Sequence, residues 1–146
     1  MLVDYMLLAD AAAALQGKLY IHGAGWDTIW GAQFPVVHPM IAVALRLRVP
    51  WANTNQPYEL TIDVMDEDGV SILPAPAGPP KVTINVGRPP QAPPGSDQVV
   101  PLALNLQNLE FARAGSYAVV VRINDSDAAR SPFTVALRPP TQPGMS

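Results

Sequence analysis

The sequence predicts an all-β fold: an immunoglobulin-like or fibronectin-like antiparallel β-sandwich of about eight strands. Three observations predict it. Strict alternation of apolar and polar residues recurs along the chain. Turn chemistry separates the alternating runs, with 17 Pro and 10 Gly in 146 residues. No run carries a helical repeat long enough to hold a helix by itself.

Taken in order, residues 3–14 read as a first strand that ends at the turn Gln16-Gly17. The run Ala11 to Leu15 has a helical turn as its alternative, and strand is preferred because an isolated helix needs more than about ten residues. Residues 18–23 return, with Leu19 and Ile21 inward and Lys18, Tyr20 and His22 outward. In 41–49, Ile41, Val43, Leu45, Leu47 and Val49 face one way, while Ala42, Ala44, Arg46 and Arg48 face the other. Leu60, Ile62 and Val64 alternate with Thr61 and Asp63, and Asp66-Glu67-Asp68-Gly69 makes a turn. Val82, Ile84 and Val86 give the next strand, over 81–86. Val100, Leu102, Leu104 and Leu106 follow, then Tyr117, Val119, Val121 and Ile123, then the tight turn from Asn124 to Asp127. Phe133, Val135 and Leu137 close the set.

Two local features refine this. Residues 109–117 place apolar residues and a Gly before Tyr117, a pattern similar to the tyrosine corner of Ig-like and fibronectin-like sandwiches. The Tyr117 hydroxyl is expected to bond back to backbone upstream. Eight of the 17 prolines fall between Pro74 and Pro94, flanking the 81–86 strand. Because Pro cannot donate to a ladder, that strand is expected at a sheet edge. Residues 1–138 form one sandwich domain in this reading, and the Pro-rich tail 139–146 is disordered.

Composition excludes several functions. Net charge is -3, and the nine Lys and Arg are scattered, which argues against nucleic-acid binding. There is no Cys, so disulfides, thiol catalysis and cysteine-ligated metals are excluded. The N-terminal segment Met1 to Leu15 lacks a basic leader and is interrupted by Asp4 and Asp10, which fits neither a signal peptide nor a membrane span. The protein is expected to be cytoplasmic, with no membrane partner.

Candidate sites are few. His22 and His38 make a poor metal pair without acidic neighbours at ligand spacing. No nucleophile elbow or phosphate-binding Gly loop is present; Gly23-Ala24-Gly25 leads to Trp26 and Asp27 and not into a helix. No catalytic residue, metal ligand or cofactor is expected. The acidic turns at 66–68 and at Asp125 and Asp127 invite a calcium reading, but turn capping by Asp explains them more simply. The aromatic set points to binding. Trp26, Trp30 and Trp51 fall in or beside loops, outside the alternating core positions, and Trp is enriched at interfaces. Arg88 precedes Pro90-Gln91-Ala92-Pro93, a PxxP with a polyproline II reading; a stiff crossover loop is preferred, because PxxP arises readily by chance among 17 Pro.

Several segments together carry a resemblance. They are Ala9-Asp10, then 17–21 (GKLYI), then Gly23-Ala24-Gly25-Trp26-Asp27, then 47–51 (LRVPW) with Thr54-Asn55, then 66–69 (DEDG), then 99–105 (VVPLALN). The combination resembles a family of small bacterial proteins known as a domain of unknown function, over residues 4–137. The resemblance implies a compact β-sandwich and a cytoplasmic location. It implies no activity and no site residues.

The expected function is therefore a non-enzymatic protein-interaction or binding module with an unknown protein partner. The binding residues would come from Trp26, Asp27, Trp30, Trp51, Asn53 and Arg88. A homodimer is expected, joined by the 81–86 edge or by the Trp-bearing loops. The alternative is a small-ligand binder or enzyme with a site between the 23–30 and 50–57 loops, lined by Asp27, His38, Trp51 and Asn53.

Overall fold

The alternating segments become strands in a computed structural model that describes residues 1–139. Among the described residues nine strands form: β1 (Leu2–Leu15), β2 (Lys18–Ala24), β3 (Thr28–Gly31), β4 (Val36–Val49), β5 (Pro57–Asp66), β6 (Lys81–Asn85), β7 (Gln98–Phe111), β8 (Gly115–Ile123) and β9 (Ser126–Leu137). A 3-10 turn, Trp51–Asn53, follows β4. Two sheets result, ordered β2-β1-β4-β7 and β3-β9-β8-β5-β6. Their inner faces pack as a sandwich. Ile41, Val43, Leu45 and Leu47 of one sheet and Leu60, Ile62, Val64, Val119 and Val121 of the other are all essentially buried. Each such side chain contributes about 1.5–3 kcal/mol by leaving water. Among the described residues no helix is long and apolar enough to cross a membrane. The expected tail lies outside the described residues apart from Pro139.

Several expectations hold in detail. Ala11 to Leu15 is strand, paired to β2 from Ala11↔His22 to Leu15↔Lys18. The run has only methyl side chains between Asp10 and Leu15, and the ladder to β2 settles its conformation. β6 ends the five-stranded sheet, as its flanking prolines predict. The β8–β9 connection is a two-residue turn with Asn124 and Asp125 both at positive φ, 49° and 65°. That geometry matches the right-handed twist of the flanking strands. Asn124 also receives the Glu59 amide on its side-chain oxygen at 2.9 Å, which ties the turn to β5.

Three expectations need correction. The sandwich is not wholly antiparallel: β3 runs parallel to β9, from Thr28↔Thr134 to Gly31↔Leu137. β3 makes the count nine, and it carries Trp30 on a strand and not in a loop. The four residues Thr28–Gly31 are too few to show alternation, so only the neighbouring β9 reveals the strand. The supposedly polar faces are also partly buried. Thr61 and Asp63 are buried, with the Asp63 carboxylate accepting from the Ser71 hydroxyl at 2.6 Å and from the Val64 amide at 2.8 Å.

Ala42 and Ala44 are likewise fully buried on the outer face of β4. The cause is the course of β1. Its first part pairs with β4, from Leu2↔Arg48 to Ala9↔Ala42, with a bulge at Asp4. Its second part pairs with β2. β2 also touches β7, although β1 and β4 lie between them in the sheet order. The sheet therefore curls until its first strand meets its last. Small side chains at Ala9, Ala42 and Ala44, all fully buried, let the hairpin approach the outer face.

Candidate functional site

The curl leaves a cleft of about 730 Å³ between the β1–β2 hairpin and the outer face of its own sheet. Cross-strand pairing builds one wall. Tyr5 lies opposite Arg46 and Arg46 opposite Pro101; Leu7 lies opposite Ala44 and Val99 opposite Arg48. Opposed residues share a face, so Tyr5, Leu7, Arg46, Val99 and Pro101 all point outward. The bulge at Asp4 is what turns Tyr5 outward while Val3, opposite Leu47, stays inward. The other wall is β2 with its turn: Gly17, Lys18, Leu19 and Ile21. Leu19 and Ile21 pair with Ala14 and Ala12, whose methyl groups leave the space open.

The walls are mostly apolar yet reachable from water. Tyr5 is 43%, Leu7 42% and Val99 41% exposed, and Leu2, Leu15 and Tyr20 on the same two strands are exposed too. Apolar surface gathered in one place on a protein marks a binding region more often than a scattering of single residues does.

Charge is concentrated at the same place. Asp4 accepts from Arg48 Nε through both oxygens, at 3.0 and 3.2 Å. The Arg48 guanidinium also reaches Asp97 at 3.4 Å. These carboxylates, Asp4 foremost through its hydrogen bonds, hold Arg48 above its ordinary pKa. Arg46 Nε lies 3.4 Å from Asp4 Oδ2, but the atom is buried and makes no hydrogen bond. Arg46 thus holds second place on a carboxylate already used by Arg48.

The residues expected from sequence fall elsewhere, in two groups. Trp26 is half-buried and closes the core beside Phe133, edge to face at 6.4 Å, and beside His38 at 6.3 Å. Its indole Nε1 is buried without a hydrogen-bond partner. Asp27 is exposed; its carboxylate accepts from the Thr28 hydroxyl at 2.9 Å and its carbonyl from the Thr134 amide at 2.8 Å. Trp30, 49% exposed, stands nearby on β3. Burial pushes the His38 imidazole below the ordinary histidine pKa, against smaller opposing effects from Asp10 and the Met40 backbone.

The second group gathers at the far end of β4. The Arg88 guanidinium lies 4.0 Å over the Trp51 ring, donates to Thr54 Oγ1 at 2.6 Å and to the Trp51 carbonyl at 2.7 Å. Asn53 is half-buried in the same turn, its amide bonded to the Pro50 carbonyl at 2.8 Å. Arg88 therefore fastens the β6–β7 crossover to the turn after β4, a structural clamp of cation–π and hydrogen-bond type. His38 and Val49 stand at the two ends of one continuous strand, about 35 Å apart at strand rise. A site between the 23–30 and 50–57 loops, lined jointly by Asp27, His38, Trp51 and Asn53, is not formed.

The acidic turns are separated in the same way. Asp66 pairs with Tyr117 at one end of β8, whereas Asp125 follows Ile123 at the other. Asp66 caps its own turn, accepting the Asp68 and Val70 amides at 2.9 and 3.0 Å, and both Asp66 and Asp68 face Arg113. Asp127 pairs with Arg122 at 2.9 Å. These carboxylates serve turns and ion pairs.

A second cavity of about 410 Å³ lies beside the Tyr117 corner, between Ile72, Leu73 and Pro74 and the end of β7 at Gln107, Asn108 and Glu110. Its polar groups are mostly exposed, and Asp66 and Arg113 within it already pair.

A family model matches residues 4–136, and it describes a family of unknown function, DUF6941. The chain belongs to DUF6941. The matched span runs from the Asp4 bulge to the end of β9, so every wall of the cleft is DUF6941 sequence. No curated protein matches the chain.

Proposed function

We propose that this DUF6941 protein is a non-enzymatic binding module and that the cleft beneath the β1–β2 hairpin is its binding site. The observation that carries the reading is the cleft itself: about 730 Å³ walled by apolar side chains from β1, β2 and β7. That volume lies in the range of small-molecule sites, which are typically apolar with a few placed polar groups. The titratable lining residues are Tyr5, Lys18 and Arg46. These suit orientation of a ligand, and they lack a carboxylate or histidine to carry a proton at neutral pH. The module is placed in the cytoplasm, the compartment implied by the chain's resemblance to a family of small bacterial proteins.

The test is a titration with the fluorescent probe anilinonaphthalene sulfonate, an apolar ring system that carries one sulfonate. The folded wild type is expected to bind it, and Leu19→Glu, which puts a charge on the cleft wall, is expected to abolish binding while circular dichroism stays unchanged. Equal binding by the folded variant overturns the reading.

A second reading, self-association through the β6 edge, has its own support. The Ile62 amide donates to the Pro80 carbonyl at 3.2 Å, which sets the ladder parity. Val82 and Ile84 then bond to β5, and the amides of Lys81, Thr83 and Asn85 point to the open side. Such a row of free donors is a template for a second strand.

A further inference from the structure

We infer that the cleft takes an amphipathic monocarboxylate, its apolar chain between β2 and the outer face and its carboxylate at Arg46. The inference rests on the binding reading above and adds the chemical class of the ligand. Two features select that class. The first is the shape of the apolar surface. Leu19 and Ile21 line the cleft together with Leu7, Val99 and Pro101, so an unbranched chain meets apolar side chains along its length. The second is a cation set among those apolar residues. Tyr5, Arg46 and Pro101 share one cross-strand row, between the rows of Leu7 and Val99, and Lys18 lines the same cleft.

The local charges leave a cation to spare. Arg46 and Arg48 pair with Asp4, Arg48 also with Asp97, and Lys18 lines the same cleft, three cations against two carboxylates in a chain whose net charge is -3. Asp4 spends both oxygens on Arg48, at 3.0 and 3.2 Å, and Asp97 also serves Arg48. Arg46 Nε is buried and, among the described residues, makes no hydrogen bond beyond its 3.4 Å approach to Asp4. A guanidinium fork donates two parallel bonds to a carboxylate, and such charge-assisted pairs are the strong ones. One spare positive charge matches a monoanion and disfavours a phosphate dianion. The side-chain hydroxyl of Tyr5, on the same row, offers one more donor. A neutral chain of equal length would fill the same apolar walls and leave the spare cation as it is.

The experiment compares sodium decanoate with decanol by calorimetry and by amide chemical shifts of the full chain. Decanoate is expected to bind, with shifts at Leu7, Leu19, Ile21 and Val99, and to bind at least about tenfold more tightly than decanol. Arg46→Gln is expected to remove that advantage, leaving decanol affinity within about twofold of wild type. Arg46→Lys keeps the charge without the fork, and is expected to fall between. Equal affinity for decanoate and decanol in the cleft, or an advantage that survives Arg46→Gln, overturns the carboxylate assignment and leaves the binding module standing. Shifts by neither ligand at the cleft residues overturn both.

Discussion

Removing one oxygen atom from Tyr117 tests the late corner of the sandwich. The hydroxyl donates to the Arg113 carbonyl, four residues upstream, at 2.6 Å. The ring is 5% exposed and lies 4.9 Å from Phe111, edge to face, and 5.9 Å from Phe133, stacked. Tyr117→Phe keeps both aromatic contacts and deletes only the hydrogen bond. Arg113 is exposed, so water can take over its carbonyl, and the cost stays near the net worth of one bond, about 0.5–1.5 kcal/mol. With a urea slope of about 2 kcal/mol/M, the unfolding midpoint should fall by about 0.5 M at unchanged slope. Alkaline pH supplies a second signature. Burial raises the Tyr117 pKa above its ordinary 10.0. The unfolded state then loses its proton first, so this group's contribution is complete below the unfolded pKa and is lost as pH rises through the folded one. The gap between wild type and Tyr117→Phe should therefore shrink above about pH 10. An unchanged midpoint at neutral pH would refute the corner and leave the hydroxyl merely solvated.

Three further outcomes follow from the geometry. His38 has its folded pKa lowered by burial, so the unfolded state binds the proton more readily; stability should fall as pH drops below about 6.5, and His38→Gln should flatten that slope in urea titrations. Gly31→Ala would set a methyl into the side chain of buried Val36, and overpacking of that kind should cost about 1–3 kcal/mol in thermal or chemical unfolding. Thr83→Pro removes an outward-pointing amide from β6 and should leave the fold intact while abolishing any dimer in sedimentation; a wild type that runs as a 15.6 kDa monomer at high concentration ends the self-association reading.

How much was legible in the sequence depended on the distance over which each feature is decided. The strands 41–49, 60–64 and 117–123 declare themselves because each buries one face on a period of two. The Tyr117 corner is decided within five consecutive residues, and the local order of residues before Tyr117 exposes it. β3 was missed because four residues hold no period, and its parallel partner β9 lies more than a hundred residues away. The loop-to-loop site failed because sequence order hides that β4 runs the whole length between the two loops. The cleft was not legible for the same reason. Tyr5, Arg46 and Pro101 become neighbours only through two ladders, and the curl that brings β2 over them shows in the sequence only as an alanine run that reads equally as strand or helical turn. One trace was present: Leu7-Leu8 and Val99-Val100 are apolar at successive positions, which strict alternation does not explain and an apolar cleft on the outer face does.

The most direct measurement is a set of intermolecular nuclear Overhauser effects from bound anilinonaphthalene sulfonate to assigned methyl groups. The account predicts contacts to Leu7, Leu19, Ile21 and Val99. Contacts confined to Ile72, Leu73 and Leu109, around the second cavity, would contradict it.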